Sequence, residues 1–344
     1  MSSISIIAFT ARGLALAQRI AAGLETAEVF GGVCSADVAR GFGEGKASLG
    51  VWVAERFSSS DVLVFVGAAG VAVRAIAPYV AAKTSDPAVV AVDERACFAI
   101  PLLSGHIGGA NELARAIAQL TGAQAAITTA TDVNGLWAVD EWARQSGLAI
   151  ENPAAIKTVS ARLLASEEVR LFADVELGGD LPAGVRRDSD AGEAHVAISP
   201  FACSNESALH LVPCCIVAGM GCRKGIAAAA VEEAFAAACA QAGVSPLALC
   251  GVASIDIKAN EQGLFEFCEH RGLKLAAYSA AELSQVEGSV SSSEFVAQTV
   301  GVDCVCERAA LCGGGRLVAP KFALNGVTVA LAQVPTSYRF PTPM

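Results

Sequence analysis

The chain has 344 residues, of which 53% are hydrophobic and 17% are charged, and its formal net charge is −10 at pH 7. This composition is globular and the length exceeds one ordinary core, which excludes a disordered protein and predicts two or three domains. The acidic balance argues against a nucleic-acid-binding protein, because contacts with phosphates need a surplus of Lys and Arg.

The sequence also argues against a membrane protein. The best candidate for a span, residues 234–255, is uncharged, but Gln241, Gly243 and Pro246 interrupt it and predict a helix end, a turn and a short buried strand. The first residues, MSSISIIAFTARG, have no basic stretch ahead of the apolar one, and they predict a strand rather than a signal peptide. We therefore expect a cytoplasmic protein.

The twelve cysteines and four histidines do not form a metal-binding pattern. The closest cysteine pairs, Cys214-Cys215 and Cys304-Val305-Cys306, have spacings that do not suit zinc, and the histidines form no HxxxH or HExxH pair. We expect reduced cysteines that act as small buried hydrophobic side chains, and no protein-bound metal.

Strands and helices alternate in residues 1–135, which predicts an N-terminal α/β domain with a mostly parallel sheet. Its expected strands are residues 4–9, 62–66, 89–93 and 124–127. Its expected helices are residues 14–23, 112–120 and a segment that begins near Val71 and ends at Pro78.

The remaining chain predicts a small irregular module, residues 136–212, and a second strong α/β domain, residues 213–335. The expected helices of these two parts are residues 137–146, 153–165, 226–242 and 261–271. The expected strands of the second domain are residues 215–218, 247–249, 274–278 and 327–333. The Pro-rich tail, 336–344, is expected to be loosely ordered. The predicted fold class is thus two three-layer α/β/α units with mostly parallel sheets, joined by a smaller α/β module.

Ligands of open parallel sheets bind beyond the carboxyl ends of the strands, where loops present backbone N–H groups. Four segments are expected there: GAAGVAVR from residue 67, LLSGHIGGANE from residue 102, TTATD from residue 128 and GMGCRKGI from residue 219. We expect the glycine-rich loops of the two α/β domains to face one shared cleft.

The segment GMGCRKGI does not fit a nucleotide site, because Gly219, Gly221 and Gly225 give GxGxxxG and no acidic residue follows the next strand. A glycine-rich turn ahead of a helix, with Arg223 and Lys224 beside it, is nevertheless suited to bind a carboxylate or a phosphate. A purely structural turn is the alternative.

The segment LLSGHIGGANE holds His106 on a loop made pliable by Gly105, Gly108 and Gly109, with Asn111 as a candidate helix cap. Imidazole suits proton transfer because its ordinary pKa lies near neutrality. A histidine that only hydrogen-bonds the loop backbone is an equally good interpretation.

Two neighbours of His106 are candidates for the same chemistry. Ser104 could be a nucleophile, although the chain has no GxSxG elbow. Asp132 could orient His106 or cap the next turn, and the cap is the favoured interpretation.

Three further basic residues, Arg74, Lys83 and Lys258, stand near glycine loops or strand ends. Each would ordinarily be a solvated surface charge. Because charged residues are scarce in this chain, we also consider them candidate ligands for an anionic substrate.

Several longer segments resemble the CbiG family of cobalamin biosynthesis proteins. They are KTSDPAVVAVDE, IPLLSGHIGGANELA and ITTATDVNGLWAVDE in the first half, and VAGMGCRKG, ASIDIKANEQGL and VGVDCVCERAAL in the second. The second set is similar to the family's C-terminal domain, which also exists as a separate protein in other cobalamin pathways. Where the family usually has Asn-Pro-Ser and Glu-Pro, this chain has Ser291-Ser292-Ser293 and Glu307-Arg308, which is expected to alter the local loops.

The resemblance implies a cobalt-precorrin-5A hydrolase, which opens the lactone of the contracted macrocycle and releases acetaldehyde to give cobalt-precorrin-5B. It implies a cobalt-corrinoid small molecule as substrate, no cofactor beyond the cobalt that the substrate brings, and transient contact with other enzymes of the pathway. The ring's acetate and propionate groups would then meet the Arg and Lys side chains.

On this hypothesis His106 activates water toward the lactone carbonyl, and loop N–H groups or Lys83 stabilise the oxyanion. Two other classes are weighed. A non-catalytic carrier of the corrinoid would have the same fold and the same basic loops. A nucleotide-dependent oxidoreductase is disfavoured, because the acidic residue that it needs is missing.

Overall fold

The structure is a computed structural model that describes residues 3–24, 27–31, 48–82, 85–286 and 304–341. The predicted ligand Lys83 and the serine run 291–293 lie outside the described residues. The chain forms two compact units, Met1–Glu141 and Trp142–Met344. The predicted α/β fold with mostly parallel sheets is confirmed in both.

The first unit contains a six-stranded sheet in the order β2-β1-β3-β4-β5-β6. Its strands are β1 (Ile4–Ala8), β2 (Ala27–Gly31), β3 (Val62–Val66), β4 (Ala88–Val92), β5 (Phe98–Leu103) and β6 (Gln124–Ala125). Its helices are α1 (Ala11–Leu24), α2 (Leu49–Ser59), α3 (Ala69–Ile76), α4 (Ala110–Thr121), α5 (Ala130–Val133) and α6 (Val139–Gln145), whose last residues belong to the second unit.

The central strands of this sheet are apolar along their whole length because helices cover both faces. Every residue of β3 and of β4 is buried. One face packs against Leu16, Ile20 and Ile117 of α1 and α4, and the other packs against Trp52 and Ile76 of α2 and α3. Continuous apolar runs are typical of such doubly covered parallel strands, which is why the sequence predicted them well.

The strand β5 changes where the predicted ligand loops lie. Strands β1 to β4 are parallel, but β5 runs antiparallel to β4, with Leu103 opposite Val89, and β6 is parallel to β5. The loop after Leu103 therefore lies at the edge where β4 begins, whereas the loop after β3 lies at the opposite edge. The expectation that all the loops of this sheet share one edge was wrong.

The second unit contains two five-stranded sheets and a two-stranded one. The middle sheet has the order β10-β8-β11-β12-β7, and the C-terminal sheet has the order β15-β14-β13-β17-β16. The strands of the middle part are β7 (Ala149–Ile150), β8 (Val169–Ala173), β9 (Glu176–Gly178), β10 (Val185–Arg187), β11 (Val196–Ile198) and β12 (Leu209–Val212). The C-terminal strands are β13 (Ile216–Cys222), β14 (Leu249–Ile255), β15 (Leu275–Tyr278), β16 (Arg316–Leu324), β17 (Val327–Gln333) and β18 (Ser337–Arg339). The helices are α7 (Ile156–Leu164), α8 (Ala228–Ala242), α9 (Gln262–His270), α10 (Ala280–Ser284) and α11 (Val305–Leu311).

The first two glycines of GMGCRKGI lie in a strand rather than in a loop. The strand β13 continues to Cys222, so the connection to α8 is shorter than expected. A Cβ at Gly219 would overlap the carbonyl oxygen of Cys306 in α11, and a Cβ at Gly221 would lie 2.7 Å from the hydroxyl oxygen of Thr328. These glycines let a helix and a neighbouring strand approach β13 closely, a packing role that periodicity alone does not reveal.

The C-terminal tail is ordered through Phe340, in contrast to the prediction. The strand β18 pairs in parallel with β9, and the ring of Phe340 stacks on Trp142 with 4.8 Å between ring centroids. Phe340 is 2% exposed. Burial of an aromatic ring is a large apolar gain, and it accounts for the order of this Pro-rich segment.

Among the described residues, no helix is both long enough and apolar enough to cross a membrane. Residues 234–255 form the end of α8, a turn and β14, as predicted. All the cysteines of the described residues are free thiols, and Cys239 and Cys268 are two of the buried ones.

Candidate active site

The His106 loop and the segment around Asp132 meet at one edge of the first sheet. The loop follows β5 and the Asp132 segment follows β6, and these two strands are parallel. Carboxyl ends of parallel strands lie at the same edge, so the topology brings together two segments that are 26 residues apart in sequence.

His106 lies between carboxylates on both sides of its ring. Its Nε2 is 2.7 Å from an oxygen of Asp132 and 3.9 Å from an oxygen of Glu141, and its Nδ1 is 3.2 Å from an oxygen of Asp140. The His106 side chain is 11% exposed. The expected alternative, a histidine bonded only to its loop backbone, does not describe this site.

The partners of the ring set its protonation state. Burial lowers the pKa of His106, but the hydrogen bonds and negative charges of Asp140 and Asp132 outweigh this effect and raise the pKa to about 9. A carboxylate only accepts hydrogen bonds, so both ring nitrogens carry protons and the side chain is an imidazolium at neutral pH. The predicted general base needs an unprotonated nitrogen, and this geometry does not favour that form.

Asp132 hydrogen-bonds His106, the contact that the less favoured of its two predicted roles requires. The Asp132 oxygen that contacts His106, Oδ2, also accepts a hydrogen bond of 3.2 Å from the side-chain amide of Asn111. The other oxygen, Oδ1, forms an ion pair with Arg115. The segment's helix α5 has Thr129 as its N-cap. The predicted capping role of Asp132 was therefore wrong, because its carboxylate points into this network.

Asn111 also acts differently from its prediction. The N-cap of α4 is Gly109, with φ of 84°, and Asn111 lies inside the first turn with only 1% exposure. Its amide donates to Asp132 and to the hydroxyl of Thr129 at 3.0 Å. Asn111 thus links the two loops of the site.

Arg115, Asp140 and Glu141 were not predicted as members of the site. Arg115 bonds Asp132 and, at 3.2 Å, Glu141. Arg115 follows Asn111 by four residues, a spacing that puts both side chains on one helix face. That spacing, and the acidic pair that ends ITTATDVNGLWAVDE, were the available signals.

The glycines of the loop have packing roles, and Ser104 ties the loop to the sheet. The Ser104 hydroxyl donates to the carbonyl oxygen of Asp86 at 2.9 Å, and its backbone has φ of 54°. A Cβ at Gly105 would lie 2.8 Å from the Asn111 side-chain oxygen, and a Cβ at Gly108 would lie 2.9 Å from the Ser104 carbonyl oxygen. The loop is thereby held in one shape, and a nucleophilic role of Ser104 stays a prediction.

Ligand atoms of His106, Asp132 and Glu141 lie within 4.8 Å of one another, a spacing suited to a metal ion. However, Arg115 already bonds both carboxylates, and the imidazolium has no lone pair to give. As they stand, these side chains therefore fit their own two cations better than a metal ion.

The predicted basic ligands are dispersed over both units. Arg74 is exposed in the last turn of α3 in the first unit. In the second unit, Lys258 forms an ion pair of 3.0 Å with Glu261. Glu261 also accepts a hydrogen bond of 2.9 Å from the backbone N–H of Gly225. Lys224 is exposed. A shared cleft between the two glycine loops stays a prediction, since they belong to separate units.

The second unit contains a cavity of about 500 Å³ that includes two of these predicted residues, Arg223 and Lys258. It also includes Lys321, which sequence reasoning missed because a lone Lys in a strand gives no signal. The other lining residues are Gly221, Cys222, Ile255, Ile257, Cys304, Val305, Cys306, Ala323, Leu324, Asn325, Gly326, Val327 and Thr328.

Both halves of the chain are similar to proteins of cobalamin biosynthesis. Three family models match: Cobalamin synthesis G N-terminal over residues 51–132, Cobalamin biosynthesis central region over 137–213, and Cobalamin synthesis G C-terminus over 216–332. A Salmonella typhimurium protein named cobalt-precorrin-5A hydrolase is 34% identical over 343 residues, covering 96% of this chain and 97% of the relative. The chain belongs to the CbiG family.

Other relatives of this CbiG chain differ in extent. The Priestia megaterium protein named cobalt-precorrin-5A hydrolase is 31% identical, covering 81% of this chain and 80% of the relative. A Sinorhizobium protein named CobE is 36% identical over 121 residues, which covers 34% of this chain and 79% of CobE.

One departure from the CbiG pattern is explained by the structure. The Arg308 guanidinium, where the family pattern has proline, donates to the carbonyl oxygens of Leu283 at 3.2 Å and Val286 at 2.9 Å. These carbonyls lie at the C-terminal end of α10, where a cation is favourable. Arg308 therefore anchors α10 to α11.

Proposed function

We propose that this CbiG chain is a cobalt-precorrin-5A hydrolase that opens the lactone of the contracted macrocycle and releases acetaldehyde, leaving cobalt-precorrin-5B. The observation that best supports chemistry here is the position of the His106 ring, which lies between Asp132 and Asp140 with only 11% of its side chain exposed. The substrate class comes from the names of the relatives that align along most of the chain.

The reaction balances with water as the only co-substrate. The water oxygen bonds to the lactone carbonyl carbon, the acyl carbon–oxygen bond breaks, and a carboxylate remains on the ring side chain. The released oxygen becomes the carbonyl oxygen of acetaldehyde as the bond between its carbon and the macrocycle breaks. That electron pair passes to the macrocycle, which takes up a proton there. No oxidant or reductant is needed.

His106 is the proposed catalytic group, with Asp132 as the residue that orients it. Its longer bond, 3.2 Å from Nδ1 to Asp140, is the one that a substrate oxygen would replace. The N–H freed in this way stabilises negative charge on the lactone oxygen, and the released Asp140 carboxylate accepts a proton from water. Ser104 and the glycines Gly105, Gly108 and Gly109 keep the loop in position.

We propose that the acetate and propionate groups of the ring bind the dispersed cations Arg74, Lys83, Arg223, Lys224 and Lys258. Cobalt belongs to the substrate in this proposal, and the protein needs no cofactor of its own. Free thiols at all described cysteines support a cytoplasmic setting, where contacts with neighbouring pathway enzymes would be transient.

The test is to incubate the purified protein with cobalt-precorrin-5A and to measure acetaldehyde and the mass of the macrocycle. The wild-type protein should release one acetaldehyde per lactone consumed. His106→Gln should lower turnover by about 10² or more, given the usual contribution of an acid–base group. Arg12→Gln, which changes an exposed residue of α1, should leave turnover unchanged. Full turnover by His106→Gln would overturn the proposed role.

A non-catalytic carrier is the second candidate. The observation that favours it is the match of CobE to only 34% of this chain, which indicates that one part of the fold exists without the rest. Tight binding of cobalt-precorrin-5A with the lactone unchanged would support the carrier and overturn the hydrolase.

A further inference from the structure

We propose that the cavity between β13, β14 and the β16–β17 hairpin is a binding site for a flat, apolar-faced ring that bears carboxylates, and that it binds such a ring independently of His106. This inference rests on the proposed function for the identity of the ring. The geometry of the cavity supplies the chemical class of the ligand and three residues beyond the predicted loop, Ile257, Lys321 and Asn325.

The cavity lies where the chain direction changes within the C-terminal sheet. The strand β13 is parallel to β14 but antiparallel to β17, and the cavity is lined by Cys222 and Ile255 at the carboxyl ends of β13 and β14. Such points in open sheets are where loops diverge and ligands bind. The opposite wall is the hairpin that contains Asn325 and Gly326.

The lining of the cavity is largely apolar and includes an isoleucine that is exposed to solvent. Ile257 is 63% exposed, and Ile255, Val305 and Leu324 also line the cavity. Apolar surface of this kind gains free energy when another apolar surface covers it. The volume of about 500 Å³ is in the range of small-molecule sites.

All the charges on the lining are positive. Arg223, Lys258 and Lys321 line the cavity and no Asp or Glu does, although acidic residues outnumber basic ones in the chain by 34 to 24. Lys258 is paired with Glu261. Among the described residues, neither Arg223 nor Lys321 has an ion-pair partner, so both cations are available to carboxylates.

Contacts with Gly326 and Glu307 anchor the backbones of Arg223 and Lys321. The side chain of Arg223 packs over Gly326, where a Cβ would lie 3.0 Å from its Cδ, and its backbone N–H donates 3.0 Å to the Gly326 carbonyl oxygen. The backbone N–H of Lys321 donates 2.7 Å to the fully buried carboxylate of Glu307. A largely apolar lining that also presents three basic side chains matches a macrocycle whose faces are apolar and whose edge carries carboxylates.

The test uses the full-length protein and two probes, cobyrinic acid, a corrin ring with free carboxylates, and its fully methyl-esterified form, which has none. Isothermal titration calorimetry should show that the acid binds at least about tenfold more tightly than the ester, because charge-assisted hydrogen bonds are lost in the ester. Arg223→Gln and Lys321→Gln should each lower the affinity for cobyrinic acid by about tenfold. Lys157→Gln, which changes an exposed lysine of α7, should change nothing.

A second measurement locates the probe and does not depend on the variants. Cys222 lines the cavity, whereas Cys97 and Cys214 are exposed elsewhere. Cobyrinic acid should slow alkylation of Cys222 by iodoacetamide and leave Cys97 and Cys214 unaffected, as followed by peptide mass spectrometry. Equal binding of acid and ester, or an unprotected Cys222 together with unaffected Gln variants, would overturn the inference.

Failure of this inference is distinguishable from failure of the proposed function. Protection of Cys222 without acetaldehyde release from cobalt-precorrin-5A would keep the cavity and overturn the hydrolase. Full turnover and full affinity in both Gln variants would overturn the proposed role of the cavity but would leave the proposed hydrolase activity standing. His106→Gln should lose turnover while binding cobyrinic acid as the wild type does.

Discussion

At the scale of single residues, the paired carboxylates around His106 decide which chemistry the ring can do. The pKa of His106 is raised to about 9 from an ordinary 6.5. A raised pKa means that the folded protein holds this proton more tightly than the unfolded chain does. The corresponding stability is fully present below pH 6.5 and is lost as the pH rises through about 9.

The pH dependence of turnover separates an acidic His106 from a basic one. If the imidazolium is the active form, kcat/KM for cobalt-precorrin-5A should fall as the pH rises through about 9. A general base would instead make kcat/KM increase up to that pH. The pH profile of His106→Gln, measured at a higher enzyme concentration, should lack the fall in kcat/KM near pH 9. A fall that persists in this variant would show that another group causes it.

Arg115 should act through His106 rather than on the substrate. Its guanidinium lies against Asp132 and Glu141, so removing it leaves His106 facing more uncompensated negative charge. Arg115→Gln should raise the pKa of His106 further, by up to about one pH unit for a partly exposed charge. Titration of the His106 ring by NMR measures this shift. Arg115→Lys should return the pKa of His106 most of the way to its wild-type value. An unchanged or lowered pKa of His106 in Arg115→Gln would contradict the positioning role.

At the scale of elements, the sequence predicted the fully buried strands better than the strand that positions the site. Strands β3 and β4 are continuous apolar runs, but β5 contains Pro101, and proline normally argues against an inner strand. Pro101 pairs with Val90 beside an irregularity in the register, where a missing N–H is tolerated. Without β5, the edge that holds His106 could not be assigned from sequence.

The candidate site was predictable in part for a related reason. His106 and Asp132 stood out because glycines and turns surround them. Arg115 and Asp140 lie on helices, and the rotation of a helix about its axis depends on tertiary packing that one sequence does not contain. The contribution of these helices to the site therefore emerged only with the fold.

Gly219 of β13 should be intolerant of even one added methyl group. Gly219→Ala should lower the free energy of unfolding by about 1–3 kcal/mol, because the added Cβ overlaps the backbone of α11. Gly251→Ala in the adjacent strand β14 has room, with Val217 Cγ2 3.9 Å from the added Cβ, and should cost much less. Urea unfolding followed by circular dichroism compares the two, and equal losses would contradict the packing role.

At the scale of the whole molecule, a hydrogen-bonded chain connects the middle sheet to the C-terminal part of the second unit, through the buried His210 and the 40% exposed Glu151. His210 of β12 is 2.6 Å from Glu151 through Nδ1 and 2.9 Å from the Ser199 carbonyl oxygen through Nε2. The other oxygen of Glu151 accepts a hydrogen bond of 2.7 Å from the hydroxyl of Ser245, which precedes β14. Burial raises the pKa of Glu151, but the bonds from Ser245 and His210 outweigh it and lower the pKa.

This lowered pKa predicts a pH-dependent contribution to stability. A depressed pKa stabilises the folded state above the ordinary value of 4.5, and the effect is lost as the pH falls through the folded-state pKa. Glu151→Gln should therefore lower the free energy of unfolding at pH 7 by about 0.5–1 kcal/mol, a small loss because solvent screens a side chain that is 40% exposed, and by less near pH 3. Urea titrations at both pH values, with the exposed Glu206→Gln for comparison, measure it. A loss that is the same at both pH values would contradict this role.

The pairing of the last strand, β18, with β9 of the middle part closes a very long loop of chain. The indole N–H of Trp142 donates 3.2 Å to the carbonyl oxygen of Arg339, across 197 residues of sequence. Closing so long a loop costs entropy that only an assembled structure repays, so these contacts form and break together with the parts that they join. Heating should accordingly melt the middle and C-terminal parts in one cooperative transition, and trimming a few terminal residues should weaken both at once.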